Sequence, residues 1–206
     1  RLCAINIVLA LSMNLVNGFT GIFSLGHAGF MAIGAYTVAL LTIPVAKKET
    51  IFMLEPLIAP LNTLTLPFGA ALIIGGLLAA ALAFLIGLPC LRLRGDYLAI
   101  ATLGFSEIIR IVITNAQSLT NGAQGLKSIP ATANIWWCYG VALATIVFIA
   151  LLISSSYGRA FKAIREDEIA AESMGVSLLR HKMLSFMLSA FLAAVGGGLF
   201  ASYIGT

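Results

Sequence analysis

A few charged and polar side chains stand inside otherwise apolar stretches, and their chemistry is the first thing to explain. Glu107 and Arg110 are three positions apart in a stretch that otherwise reads as a membrane helix. Opposite charges at that spacing can pair on a helix surface, whereas ionisable groups inside a membrane are costly and by default functional. Two interpretations are open: the pair locks a helix bundle together, or it belongs to a pathway or gate.

A second polar group lies earlier in the chain and comprises Asn14, Asn17, Ser24 and His27. A serine nucleophile needs a base that a third group orients. Ser24 and His27 fall within one turn and have no acidic residue nearby, which disfavours hydrolytic chemistry. Asn14 and Asn17 suit hydrogen bonds between membrane helices. We therefore predict no catalytic residue, and these four are candidate pathway residues.

The segment 18–29 contains four glycines and is unlike its neighbours. So many glycines argue against a regular helix. It is either a tight cytoplasmic connection, with His27 as a hydrogen-bonded structural residue, or a break at membrane depth. Non-helical backbone at that depth is tolerated only inside protein or beside a water-filled cavity.

Metal and nucleotide chemistry also lack the necessary residues. The chain has no HExxH and no Walker A sequence, which are the patterns for zinc hydrolases and for phosphate-binding loops. Cys3, Cys90 and Cys138 are odd in number and lie in or beside apolar stretches without CxxC spacing. We interpret them as small core hydrophobes and expect neither a metal nor a cofactor on this chain.

The elements that must position these residues are membrane helices. Apolar residues make up 60% of the chain and charged residues only 10%, with a mean hydropathy of +1.04, whereas soluble domains carry roughly 25% charged residues. The net charge of +4 lies in short gaps, so a nucleic-acid-binding surface is excluded. Six stretches approach the roughly 20 residues that span a bilayer: 2–19, 28–45, 66–91, 97–115, 135–154 and 183–203. The sequence therefore predicts an all-α, polytopic membrane bundle of about six spans.

Small residues recur at every fourth position of the third span and predict close helix packing there. They are Gly75, Ala79, Ala83 and Gly87.

The basic residues orient the spans. Five of them lie between the fifth and sixth spans, and two between the third and fourth: Arg159, Lys162, Arg165, Arg180, Lys182, Arg92 and Arg94. The positive-inside rule places both gaps in the cytoplasm. Alternation then puts the gap 46–65 outside, although its lysines weakly oppose that assignment.

The longest gap predicts a cytoplasmic amphipathic helix within the loop 157–179. Its interior, 159–174, lacks Gly and Pro and is rich in Ala, Glu, Lys and Arg, a strongly helical composition. The preceding serines suit an N-cap, and Gly175 suits the C′ position. One face carries Phe161, Ile164, Glu168 and Ala171, and Arg165 can pair with Glu168. Its many acids disfavour a lipid surface and favour docking to another protein.

The sequence around this helix resembles a known family. Glu168-Ile-Ala-Ala-Glu-Ser-Met-Gly175 is similar to the EAA-type loop of ABC importer permeases. The upstream Gly158–Arg165 block, the Ser24–Phe30 block with Gly34-Ala35-Tyr36, and the Leu91–Tyr97 block resemble the branched-chain amino acid permeases of the LivM type. These blocks are spread over most of the chain. The resemblance implies that the docking loop consists of Gly158, Arg159, Phe161, Ile164, Arg165, Glu168, Ala170, Ala171 and Gly175.

The resemblance also implies partners and a location. The whole chain, 1–206, would be one permease domain in the bacterial inner membrane, paired with a second permease subunit as a heterodimer. Cytoplasmic ATP-binding cassette subunits would use the ATP, and an external binding protein would deliver substrate. Branched-chain amino acids are the expected substrates, with urea or short amides, or an uncoupled channel, as alternatives. Apolar stretches reach both ends of the chain, so we expect a fragment lacking further spans.

Overall fold

A computed structural model describes residues 1–45, 48, 65–93, 95–122, 125–126, 129–130 and 132–205. Within these residues every regular element is helical. Of the predicted external gap 46–65, all positions except 48 and 65 lie outside the described residues, as does Arg94 of the predicted cytoplasmic gap.

The helices follow the predicted apolar stretches closely. Their bounds are α1 Leu2–Asn14, continued by a π-helical turn at Leu15–Phe19, α2 His27–Thr42, α3 Phe68–Cys90, α4 Asp96–Asn115, α5 Gln117–Thr120, α6 Ile135–Ser154, α7 Ser156–Glu166, α8 Glu168–Ser173 and α9 Leu178–Ile204. Five of the described helices are long and apolar enough to cross a membrane: α1 with its π-helical turn, α3, α4, α6 and α9. The predicted class, an all-α polytopic bundle, is confirmed.

The second predicted span is shorter than the others. Helix α2 has only 16 residues, whereas a bilayer core needs about 20. It begins at His27, and Gly26 lies against Thr102 of α4. Thr102 is itself more than a helical turn inside α4, about 9 Å from the first residue of that helix at 1.5 Å rise per residue. Residues 20–26, which have no regular secondary structure, therefore take the place of the missing helical turns.

Helix α9 forms the centre of the bundle. In its most apolar window 72% of the residues are buried, against 17% for α4. Its close neighbours are α1, α2 and α3. At the crossing with α2, a Cβ on Gly34 would collide with the backbone of Ala194, and one on Gly197 with the carbonyl of Met31. Only glycine allows these two backbones to approach so closely, which is how small residues join helices in lipid.

The small-residue positions of α3 lie in the same core. Gly75 faces Val38 of α2, and Gly87 faces Met183 of α9. Ala79 and Ala83 are fully buried between them. The stripe therefore holds α3 against both α2 and α9.

Candidate functional site

The loop between α6 and α9 contains two short helices instead of the single helix predicted over 159–174. Asp167 separates them in an extended conformation with φ −156° and ψ 114°. Its carboxylate accepts hydrogen bonds from the amides of Ile169 at 2.8 Å and Ala170 at 3.1 Å. Aspartate is among the preferred N-cap residues, so the prediction of one continuous helix was wrong at this position.

The ends of this pair of helices are fixed in different ways. Ser155 occupies the N-cap position of α7 without capping it, because its hydroxyl donates to the carbonyl of Leu152 at 2.6 Å. At the other end Gly175 has φ +85°. The amides of Gly175 and Val176 donate to the carbonyls of Glu172 and Ala171, both at 3.0 Å. This is the glycine-terminated helix end for which left-handed backbone is needed.

One side of the α7–α8 pair is built into the protein. Phe161, Ile164 and Ala171 are buried. Gly158 is buried too, and a Cβ there would collide with the backbone of Ile153. The ring of Phe161 meets His181 of α9 with a centroid distance of 6.3 Å. The predicted apolar face therefore packs on the chain's own helices.

The opposite side presents large apolar side chains that the sequence argument missed. Ile169 is 75% exposed and Met174 is 84% exposed, and Arg159 and Ala170 are also exposed. Apolar groups exposed outside the membrane-spanning helices are typical of a docking surface. Nothing in the spacing gave the orientation of Ile169, because the break at Asp167 resets the helical phase.

The charged residues of the loop pair differently from the prediction. Glu168 contacts the ammonium group of Lys182 at 2.6 Å, and Lys182 is buried in α9. Arg165 contacts Glu166 at 2.6 Å instead of Glu168. The predicted Arg165–Glu168 pair is therefore wrong, because the helix break turns Glu168 toward α9. Lys182 was not recognised as its partner, since fourteen residues of chain separate them.

Arg165 also joins the loop to the segment that precedes α2. Its guanidinium donates to the carbonyl of Gly18 at 3.1 Å. Gly21, with φ +72°, packs directly on the same side chain, where an added Cβ would lie 2.8 Å from the Cγ of Arg165. The loop helix α7 and residues 18–21 therefore form one contact.

The segment then leads to a small polar cluster inside the bundle. His27 is hydrogen-bonded to Ser12 and not to Ser24: its Nε2 lies 2.8 Å from the hydroxyl of Ser12. Ser189 of α9 donates to the carbonyl of Ser12 at 2.7 Å. These contacts tie α1, the start of α2 and the middle of α9 together.

The two asparagines behave differently from each other. Asn17 accepts a hydrogen bond from the amide of Ser24 at 3.2 Å, so it holds the non-helical segment in place. Asn14 is exposed, and its side chain lies against Gly18. Thr102 was not predicted as a site residue, yet its hydroxyl accepts a 3.1 Å hydrogen bond from the amide of Leu25.

The cavity beside His27 is too small for a substrate. Its volume is about 10 Å³, and its lining includes Asn17, Ser24 and Ser189. Small-molecule sites occupy roughly 300–1,000 Å³. In this conformation the cluster is closed, because its polar side chains hydrogen-bond to one another and leave almost no space between them.

The side chains of Glu107 and Arg110 hydrogen-bond to each other and not to that cluster. Their side chains meet at 3.3 Å, but both point away from the bundle, with 54% and 74% of their surface exposed. The pair therefore does not lock the described helices to one another.

Metal ligands and disulfides were the remaining possibilities. In the described part of the chain, no group of three or more His, Cys, Asp or Glu residues is placed to hold a metal ion. Cys90 and Cys138 are buried and free, as expected of small hydrophobes, whereas Cys3 is free and exposed. The core prediction was thus wrong for Cys3, because its position on α1 faces outward.

Comparison with known proteins places these features in context. The family described as "Branched-chain amino acid transport system / permease component" matches residues 1–206. The chain is 39% identical to the high-affinity branched-chain amino acid transport system permease protein LivM of Escherichia coli, over 98% of this chain and 51% of that protein. For LivM of Salmonella typhimurium the identity is 38%, over 96% of this chain and 50% of the relative.

A more distant relative is named for another substrate. The guanosine ABC transporter permease protein NupQ of Bacillus subtilis is 26% identical, over 90% of this chain and 60% of that protein. The chain spans about half the length of the LivM proteins of Escherichia coli and Salmonella typhimurium. No solved structure matches it.

Proposed function

The chain belongs to the family of branched-chain amino acid transport permease components, and from that premise we propose that it is part of the membrane subunit of an ABC importer. The substrates are branched-chain or related amino acids, and the location is the bacterial inner membrane. The chain is not an enzyme; ATP is hydrolysed by separate cytoplasmic subunits. A second permease subunit and an external binding protein complete the transporter.

The observation that carries this proposal is the two-sided arrangement of α7 and α8. One side is buried on the membrane helices, and the other exposes Ile169 and Met174. A partner that binds the exposed side is thereby connected rigidly to the bundle. This is what an ATPase needs if its movement is to reach the membrane, and an uncoupled channel has no use for it.

The contacts suggest the route of that movement. A shift of α7 displaces Arg165, and Arg165 holds Gly18 and Gly21 at the base of the non-helical segment. That segment ends at His27 inside the bundle. Movement of the loop can therefore change the closed polar cluster, where Ser12 and Ser189 meet His27.

Amino acids are preferred over other cargo because the LivM relatives are the more similar. The guanosine permease matches at 26% identity against 38–39%. Urea and short amides stay secondary candidates on the same family grounds. The polar cluster gives no ranking, since its cavity is closed.

The test uses the complete transporter in proteoliposomes. We expect uptake of labelled leucine that requires ATP and the binding protein, and less uptake of guanosine or urea. The variants Ile169→Ser and Met174→Ser should lower the copurification of ATPase subunits several-fold. The control is Asn134→Ser, an exposed position at the other end of α6. Leucine uptake without ATP, or full ATPase binding by both variants, would contradict the proposal.

A further inference from the structure

The outward face of α4 carries charges at membrane depth. The stripe consists of Leu103, Glu107, Arg110 and Thr114, all exposed, at spacings that return to one side of a helix. The packed side of α4, including Thr102 and Ser106, contacts Gly26 and Gly29 and lies about 100° around the helix from the axis of this stripe. The charged stripe therefore lies on a side of α4 that the rest of the described chain leaves uncovered.

Glu107 cannot avoid the membrane interior. It is about 16 Å along a helix of roughly 30 Å, at 1.5 Å per residue, so it sits near the middle. Arg110 is closer to the end of the helix, and a long arginine side chain can extend to the interface, but a glutamate reaches much less far. A charged group that faces lipid at the centre of the membrane is energetically costly.

The ion pair relieves only part of this cost. Arg110 donates one hydrogen bond to Glu107 at 3.3 Å, while a guanidinium has five N–H donors. Both side chains are more than half exposed. Lipid offers no acceptors for the remaining donors, so this face needs water or a polar protein surface.

Other outward faces of the bundle are apolar throughout and contrast with α4. Helix α6 exposes Leu143 by 64% and Leu151 by 65%, and α3 exposes Leu77 by 58% and Leu85 by 66%. Neither helix contains a charged residue. Among the described membrane helices, α4 therefore exposes charges at mid-depth, whereas the exposed surfaces of α3 and α6 are compatible with lipid.

We propose that the α4 stripe lines the translocation pathway and faces the second permease subunit across it. This rests on the proposed function. The pathway supplies the water and polar groups that the Glu107–Arg110 pair requires. Helix α4 also holds the non-helical segment through the bond from Leu25 to Thr102, so it forms the wall between that segment and the pathway.

Photo-crosslinking in the purified complete transporter tests the assignment. A benzophenone amino acid is placed at Leu103 or Thr114 of the α4 stripe, and at Leu143 or Leu151 on α6 as exposed controls. We expect adducts with the second permease subunit at least five-fold more abundant from the α4 positions than from the α6 positions. The α6 positions should yield lipid adducts.

Several outcomes overturn the proposal. They are equal subunit adducts from both helices, or α4 adducts with lipid, with another part of the same chain or with a second copy of it. ATP-driven leucine uptake by the same complexes distinguishes a failure of the pathway assignment from a failure of the proposed function. Active complexes without α4 adducts refute only the pathway assignment, whereas complexes that never transport refute the proposed function.

Discussion

Lys182 shows how a single residue anchors the loop to the membrane helices. Its ammonium group is buried at the base of α9 and contacts the carboxylate of Glu168 at 2.6 Å. Glu168 is the first residue of α8, which follows the Asp167 cap, so the pair fixes α8 against α9. A buried ammonium without a partner is costly. This contact therefore stabilises the fold and also connects α8 to α9.

Removing one partner should therefore cost more than exchanging the two. We expect Glu168→Gln to destabilise the complex by about 1.5–3 kcal/mol, the range for hydrogen bonds to charged groups, with the lower part favoured because Glu168 is half-buried. The exchange Glu168→Lys with Lys182→Glu should recover at least half of that loss. Thermal unfolding of the purified transporter measures both.

The control for this pair is Glu166→Gln, whose carboxylate is 71% exposed in its contact with Arg165. Exposed ion pairs contribute at most about 1 kcal/mol, so little change is expected. Equal destabilisation by the Glu166 and Glu168 variants would show that burial of Lys182 is unimportant.

At the scale of elements, the contact between α7 and the non-helical segment should matter more for coupling than for folding. Gly21 has φ +72° and lies against Arg165. An alanine there adds about 1–2 kcal/mol of left-handed strain and pushes the Arg165 side chain away. We expect Gly21→Ala to assemble with the ATPase but to lose most ATP-driven leucine uptake while ATP hydrolysis continues.

The matched control is Gly140→Ala in α6, where an added Cβ meets no atom within 4 Å and alanine favours the helix. Uptake should be unchanged in that variant. If Gly21→Ala transports normally, or lowers hydrolysis and uptake in equal proportion, the contact does not transmit movement.

Elements that are determined by local composition could be predicted from the sequence. The bounds of α6 follow from one continuous apolar stretch between Asn134 and Ser155, and the predicted span coincides with it. The break at Asp167 could not be predicted in the same way, because a single capping residue gives a weaker signal than the strongly helical composition around it. The shortness of α2 was also missed, because the glycine-rich segment before it is equally typical of a simple turn between helices.

Side-chain placement depended on tertiary packing and was largely beyond prediction. The spacing of Glu107 and Arg110 predicted that they pair. It did not predict which way the pair faces, because apolar residues occur on every side of α4. The partner of Glu168 depended on where α9 lies after the chain turns back. His27 and Ser12 met only because α2 begins inside the bundle.

At the scale of the whole molecule, Arg92 and the basic residues between Arg159 and Lys182 lie at one end. Helix α6 ends and α9 begins beside α7 and α8, and Gly87 near the end of α3 lies against Met183 near the start of α9. The loop holding Asn134, before α6, is at the other end with Gly205. The positive-inside rule predicts that the end with these basic residues is the cytoplasmic one.

Labelling of single cysteines in intact cells tests that orientation. In a variant without native cysteines, Lys162→Cys on α7 and Asn134→Cys before α6 are both exposed positions. A thiol reagent that does not cross membranes should label position 134 in intact cells, and position 162 only after the membrane is opened, with at least a ten-fold difference. Because α7 belongs to the same loop as the proposed ATPase surface at Ile169 and Met174, the reverse pattern would place that surface outside the cell, where ATP-driven coupling through it cannot occur.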